Sequence, residues 1–177
     1  VTLLDGDGNE VATATTDAQG NYTLTVDTNG TALDGFLKAT KTGLLDTYLY
    51  PPEPLAENFD GASINMVSMQ TFGLLANTLC SASQDPAKGT IAGLVYNAAD
   101  MPVAGATMTG SPAPTSVCYN QNNFPNNGAT ATDVDGVGYM FNVTGDVTVS
   151  ATAPGLTLRS HRVTARAGAL TTTLIRP

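Results

Sequence analysis

Two cysteines, one histidine and a few closely spaced carboxylates are the side chains of this 177-residue sequence whose types invite chemistry. A nucleophilic cysteine needs a basic neighbour to hold it as thiolate, and neither Cys80 nor Cys118 has one in sequence. A disulfide between them is expected, pinning the end of a helix to a long loop; two buried thiols are the alternative. The single histidine, His161, sits beside Ser160 and between Arg159 and Arg162. A zinc site wants several such ligands, and a Ser-His-Asp triad wants a placed acid, so an exposed strand histidine is expected. The run "DGDGNE" puts Asp5, Asp7 and Asn9 at alternate positions, with Asp17 as a candidate fourth ligand for calcium. A helix-loop-helix calcium loop requires Gly at its sixth position and Glu at its twelfth; here those are Glu10 and Thr16. A hairpin turn without metal is the better reading, and no catalytic residue or cofactor is expected.

The stretch "TTDAQGNYTLTV" (15–26) returns, altered, as "ATDVDGVGYMFNV" (131–143). Gly20 and Gly136 fall where a tight turn needs positive φ, and Asp17 and Asp133 can accept N–H bonds inside it. The following aromatic is expected to open the core face of the next strand. No base or nucleophile accompanies either copy, so the repeat builds a fold rather than an active site.

The elements around these residues read as strands. Only 12% of residues are charged, there is no Trp, and 27 threonines stand beside 18 glycines. Threonine is stiff at its β-branched carbon and suits a pleated surface with one wet face. Residues 1–85 carry eleven acidic and two basic side chains, net −9; residues 86–177 carry four and five, net +1. Without a basic stripe, nucleic acid is excluded as a partner. No apolar run is long enough for membrane insertion. Low lysine and abundant Thr, Gly and Asn favour a secreted, cell-surface setting. Three glycosylation sequons start at Asn21, Asn29 and Asn142, of which Asn29, in a turn, is the acceptor to test.

Strands are expected at 1–4, 10–16, 21–27, 33–43, 44–52, and at roughly ten-residue spacing from 89 onward, with "NAADMP" turning an antiparallel pair and 111–128 as a loop excursion. The double proline after Tyr50 is expected to end pairing at a sheet edge. Met66, Met69, Phe72, Leu75 and Leu79 fall at helical spacing, predicting one amphipathic helix over 67–80. "SASQDPAKG" (81–89) is the expected boundary between domains 1–85 and 86–177.

The run "GTIAGLVYNAADMPVAGATMT…ATATDVDGVGYMFNVTGDVTVSATAPG" resembles the carboxypeptidase regulatory-like domain, a transthyretin-like sandwich. Its marks are G-x-(I/V)-x-G-x-V, then P-V-x-G-A, then T-D-x-x-G-x-(Y/F). One extra residue between Gly136 and Tyr139 reads as a bulge. Residues 1–41 resemble the same unit without its opening strand. The resemblance implies an all-β protein of two antiparallel sandwiches with one short helix near their junction. It also implies a spacer, folding or adhesive role, since the zinc ligands of such enzymes lie in a separate domain.

The expected function is therefore that of a non-enzymatic surface fibre or layer subunit, polymerising with copies of itself. The first copy lacks the counterpart of Gly89–Tyr96 and leaves an open edge. The expected donor is the C-terminal strand, through Ala169, Leu170, Leu174 and Ile175, with Arg159, Arg162, Arg166 and Arg176 meeting the acidic first copy, or else a neighbour's free terminal segment; the alternative is that the missing strand lies upstream in the same protein. Two other classes compete: spacer domains of a secreted enzyme, and an adhesion module for cell-surface glycans using Tyr48, Tyr50, Tyr119 and Phe124.

Overall fold

The computed structural model describes residues 1–177. The chain is mostly β. In order it forms β1 (Thr2–Asp5), β2 (Glu10–Thr13), β3 (Gly35–Ala39), β4 (Thr47–Tyr50), helix α1 (Met69–Gly73) passing into a π-helical stretch (Leu74–Leu79), β5 (Gly89–Val95), β6 (Thr107–Ser111), β7 (Ser116–Gln121), β8 (Phe124–Asn126), β9 (Val137–Val143), β10 (Gly145–Thr152), β11 (His161–Ala165) and β12 (Leu170–Ile175). Two sheets result: nine strands in the order β2-β1-β3-β4-β12-β5-β9-β7-β8, and three in the order β11-β10-β6.

The second half is sandwich-like because its strands alternate. In β10, "GDVTVSAT", Val147, Val149 and Ala151 are buried while Asp146, Thr148 and Thr152 face solvent, the period-2 pattern of a half-wet sheet. Those three join Met108, Val163 and Ala165 of the small sheet to Ile91, Val95, Met140, Val143 and Ile175 of the large one in a single buried cluster. Burial of this kind supplies most of the driving force for folding.

The first half repeats part of this plan. β1 pairs with β3 and β3 with β4, all antiparallel. In the same way β6 pairs with β10 and β10 with β11. The register puts Leu3, Leu37 and Leu49 on one face of β1-β3-β4, and Leu4, Phe36 and Lys38 on the other together with Tyr48. Leu3 is buried, but Leu37 and Leu49 remain half-exposed, whereas Val147, Val149 and Val163 are at most 1% exposed. The first half has the strands of one layer, and its Leu37 and Leu49 are less sealed from water than those valines.

Several expectations are corrected. Residues 21–27 alternate half-buried and exposed as a strand does, yet pair with no other strand; the Asn21 carbonyl takes only the turn bond from the Asp17 N–H. The loop excursion 111–128 contains the β7–β8 hairpin, so Cys118 stands in a strand rather than a loop. "NAADMP" does make a tight turn, bridged by Tyr96 and Pro102, but the chain then crosses to the other sheet. The extra residue of β9 is Asn142, opposite the step from Gly89 to Thr90 and at φ 58, not a residue between Gly136 and Tyr139. The prolines after Tyr50 do not mark an edge, because β4 is flanked by β3 and β12. Helix α1 begins where Ser68 Oγ accepts the Thr71 N–H at 3.1 Å, a side-chain cap for an orphan donor. Met69, expected on its apolar face, is 60% exposed.

Candidate functional site

Of the residues singled out for chemistry, the cysteines are accounted for first. Cys80 and Cys118 form a disulfide with Cα atoms 5.7 Å apart, so neither offers a thiolate. The bond fastens the end of the π-helical stretch to β7, in a small cluster with Ala76, Ala82 and Phe141. The segment after Cys80, expected to be a boundary, is held along its length. Asn142 accepts from the Asp85 N–H at 2.7 Å and donates to the Ala82 carbonyl at 3.2 Å. Gln84 accepts from the Thr90 hydroxyl at 3.0 Å and donates to the Asp85 carbonyl at 3.0 Å. The left-handed φ of Asn142 leaves its amide at the bulge free for this role.

The calcium candidates are absorbed by turns. Asp5 accepts from the N–H groups of Asp7 at 3.0 Å and Asn9 at 2.8 Å, and from the Asn9 amide at 3.0 Å. Asp17 repeats this with Gln19 at 2.9 Å, Asn21 at 2.8 Å and the Asn21 amide at 3.0 Å. Gly8 and Gly20 close the two turns at φ 86 and 87. The side-chain bond from Asn9 or Asn21, then the backbone bonds, hold each carboxyl below the ordinary aspartate value. A Gly at the fourth place and an Asn at the fifth are the sequence signal for this five-residue Asx turn. No group of three or more His, Cys, Asp and Glu side chains is gathered as a metal would need. Asp133 behaves differently. It reaches out of its turn to accept the Asn122 N–H at 2.7 Å, while Asp135 accepts from Asn120 at 2.6 Å. The second copy's turn is thus wired to the β7–β8 hairpin.

His161 is half-buried rather than exposed. Its Nε2 bonds the hydroxyl of Thr173, which donates onward to the Tyr50 carbonyl at 3.2 Å. Burial pushes the imidazole below its ordinary value. Pro52, Glu53, Arg159, Arg176 and Pro177 surround it around a depression of about 10 Å³, room for roughly one water. An open groove of about 230 Å³ adjoins, lined by Asn97, Ala98 and Asp100 with Glu53 and Arg176. It holds no nucleophile paired with a base.

The assembly residues are used inside the chain. β12 lies between β4 and β5, parallel to both, with Leu170 opposite Thr47 and Thr90. Ala169 packs against Phe36 and Tyr48, and Ile175 lies in the main core; Leu174 pairs with Leu94. A strand paired on both sides would have to leave β4 and β5 before it could serve as a donor to a neighbour. The arginines find partners at home as well: Arg159 with Glu53 at 3.3 Å, Arg162 with Asp146 at 3.5 Å, and Arg176 with Asp100. The Arg166 guanidinium lies 4.1 Å from the Tyr48 ring centre and 4.7 Å from that of Phe36, and donates to the Tyr50 hydroxyl at 3.1 Å. Phe36 and Tyr50 stack at 4.6 Å. This cation–aromatic cluster joins the halves and was missed from sequence, since nothing in the spacing brings 36, 48, 50 and 166 together.

Of the aromatic adhesion candidates, Tyr48 and Tyr119 are buried and Tyr50 half-buried; only Phe124 is exposed. Asn29 lies exposed in its turn at φ 49.

What stands open is backbone. From Tyr22 to Val26 no N–H or carbonyl bonds another backbone group, and the same holds from Gly61 to Met66. Tyr22, Leu24 and Val26 are half-buried, alternating with exposed Thr23 and Thr25; Ala62, Ile64 and Met66 alternate likewise. The Tyr22 hydroxyl donates to the Ala62 carbonyl, which holds the two segments near one another. The true sheet ends are guarded by contrast: β2 has four residues with Glu10 and a bulge, and β8 has three with Pro125, devices that discourage pairing. No protein-family model matches the chain, and no curated protein matches it.

Proposed function

We propose that the chain is a non-enzymatic, extracellular structural protein of two transthyretin-like units, residues 1–85 and 86–177, whose first unit takes up a β-strand from a neighbouring chain and so builds a surface fibre or layer. The observation that carries this is the pair of extended, alternating segments, 22–26 and 61–66, whose N–H and carbonyl groups bond no other backbone group, in a half whose Leu37 and Leu49 stay partly exposed. Unpaired strand backbone next to apolar surface is what strand addition completes. The matching order of β1-β3-β4 and β6-β10-β11 supports two related units, in line with the resemblance to carboxypeptidase regulatory-like domains. A disulfide, and no helix long and apolar enough to cross a membrane, suit a secreted location. With β12 occupied, the donor is a different segment of the neighbour.

Sedimentation velocity over a wide concentration range, with negative-stain imaging of the same samples, tests this. Growing linear species are expected; a monomer at every concentration overturns the polymer.

Adhesion to a surface glycan is a second reading, favoured by Phe124 and Val134, 69% and 67% exposed near the docked β7–β8 turn. Retained binding of Phe124→Ala on a glycan array would remove it.

A further inference from the structure

The second half contains a completed version of what the first half lacks. There β5 lies between β9, antiparallel, and β12, parallel. Residues 21–27 follow the T-D-x-x-G turn as β9 does, and residues 61–67 follow β4 as β12 follows β11. No strand pairs with either segment, the Tyr22 hydroxyl of one reaches the Ala62 carbonyl of the other, and each of the chain's twelve strands is already paired. Around this gap Asp17, Asp27, Glu57 and Asp60 bear no ion pair with any of the chain's cations.

Resting on the strand-addition reading, we propose that the acceptor is the gap between 21–27 and 61–67, and that its occupant is a seven-residue strand of a second chain, built like Gly89–Val95 and flanked by basic residues. It enters antiparallel to 21–27 and parallel to 61–67. Each polarity copies β5. The pattern follows from the neighbours: β5 presents Ile91 and Val95 to the core, and the half-exposed Leu37 and Leu49 offer the same kind of surface. A glycine is needed where the opposing layer presses close. At Gly93 an added Cβ would stand 2.1 Å from the Met108 methyl carbon, and at Gly89 2.5 Å from the Arg166 carbonyl oxygen. The basic flanks answer the unpaired carboxylates at the ends of both segments, which raises the rate of encounter and disfavours acidic competitors.

The probe is a synthetic peptide, GTIAGLVY with a lysine added at each end, mixed with the intact chain and followed by amide hydrogen exchange. Exchange at 22–26 and 62–66 is expected to slow by roughly tenfold or more near saturation. A peptide of the same composition with its alternation scrambled should leave both segments unchanged. Thr25→Pro, which removes an N–H that no intrachain group uses, should abolish the protection at 22–26. Protection at β2 or β8 instead overturns this acceptor and leaves strand addition standing. No protection in a chain that still polymerises overturns the occupant and leaves the fibre reading intact. No protection in a strict monomer overturns both. A longer natural form in which both segments are protected without peptide assigns the strand to the same chain and overturns the second-chain occupant.

Discussion

The two halves of this molecule build the same antiparallel trio of strands and finish it to different degrees. In the second, β6-β10-β11 is roofed by β5, β9 and β12, and its valines are sealed from water. In the first, no paired layer of strands covers β1-β3-β4 in this way, and Leu37 and Leu49 stay partly exposed while Leu3 is buried. The sequences differ little in strand propensity. What separates them in the fold is a paired second layer, because a sheet's inner face becomes a core only when such a layer covers it. The first half holds its shape by leaning on the second, through β12 beside β4 and Arg166 against Phe36 and Tyr48.

Reduction of the disulfide should have the largest effect. The bond closes a loop with a sequence separation of 38, which in the chain-entropy model stabilises by about 4 kcal/mol. Denaturant unfolding with and without reductant should show that difference. Exchange should rise first in α1 and the adjoining π-helical stretch, whose cluster with Phe141 depends on the clasp. If β3 and β4 open first instead, the second half is not the better-secured partner.

Matched truncations of the two faces come next. Met140, fully buried in the main core, should lose roughly 2–5 kcal/mol on substitution by Ala. Leu37→Ala, at a half-exposed site, should lose about 1 kcal/mol, since less apolar area leaves water there to begin with. Equal losses would break the comparison. A larger loss for Leu37→Ala once the strand peptide is bound would sharpen it.

How much of this was legible in the sequence depends on distance along the chain. The T-D-x-x-G turns, the short strands and the helix over 69–79 follow from local signals: glycine at positive φ, alternation and helical spacing. Local signals do not say who pairs with whom. The "ALTTTLIRP" tail reads as a strand either way; only the fold shows it flanked by β4 and β5, some 120 and 80 residues upstream in sequence. The Arg166 cluster escaped for the same reason. Residues 21–27 mislead in the opposite sense, having a strand's alternation but no neighbour to bond. A strand is a pairing, and one segment cannot record it.

Arg166 tests the dependence of the first half on the second. Arg166→Ala removes a guanidinium seated against two rings and bonded to Tyr50, and should cost about 1–2 kcal/mol. Arg166→Lys should recover only part, because an ammonium lacks the planar fork. Exchange should quicken in β3 and β4 and stay unchanged in β9 and β10. Uniform destabilisation would mean the halves unfold as one.

The smallest effect concerns pH and the seam at His161. Burial favours the neutral imidazole, so its pKa in the folded chain lies below the unfolded value near 6.5. Arg159 with its partner Glu53, and Arg176 with its partner Asp100, share its surroundings, and burial sets the direction of the shift. Neutral, its Nε2–H can donate to Thr173, whose own proton goes to the Tyr50 carbonyl. Below about pH 6.5 the unfolded chain binds a proton that the folded chain resists, so stability is full above that value and declines as pH falls toward the depressed folded value. Tm measured between about pH 7.5 and pH 5 should therefore fall on the acid side, and His161→Gln, which keeps an amide donor without the titration, should flatten that fall. The carboxylates held low by their turns, Asp5, Asp17 and Asp133, lose their contribution only below the ordinary aspartate range, and leave this window to the histidine. An undiminished slope in His161→Gln would place the titrating group elsewhere and leave the seam between the halves insensitive to pH.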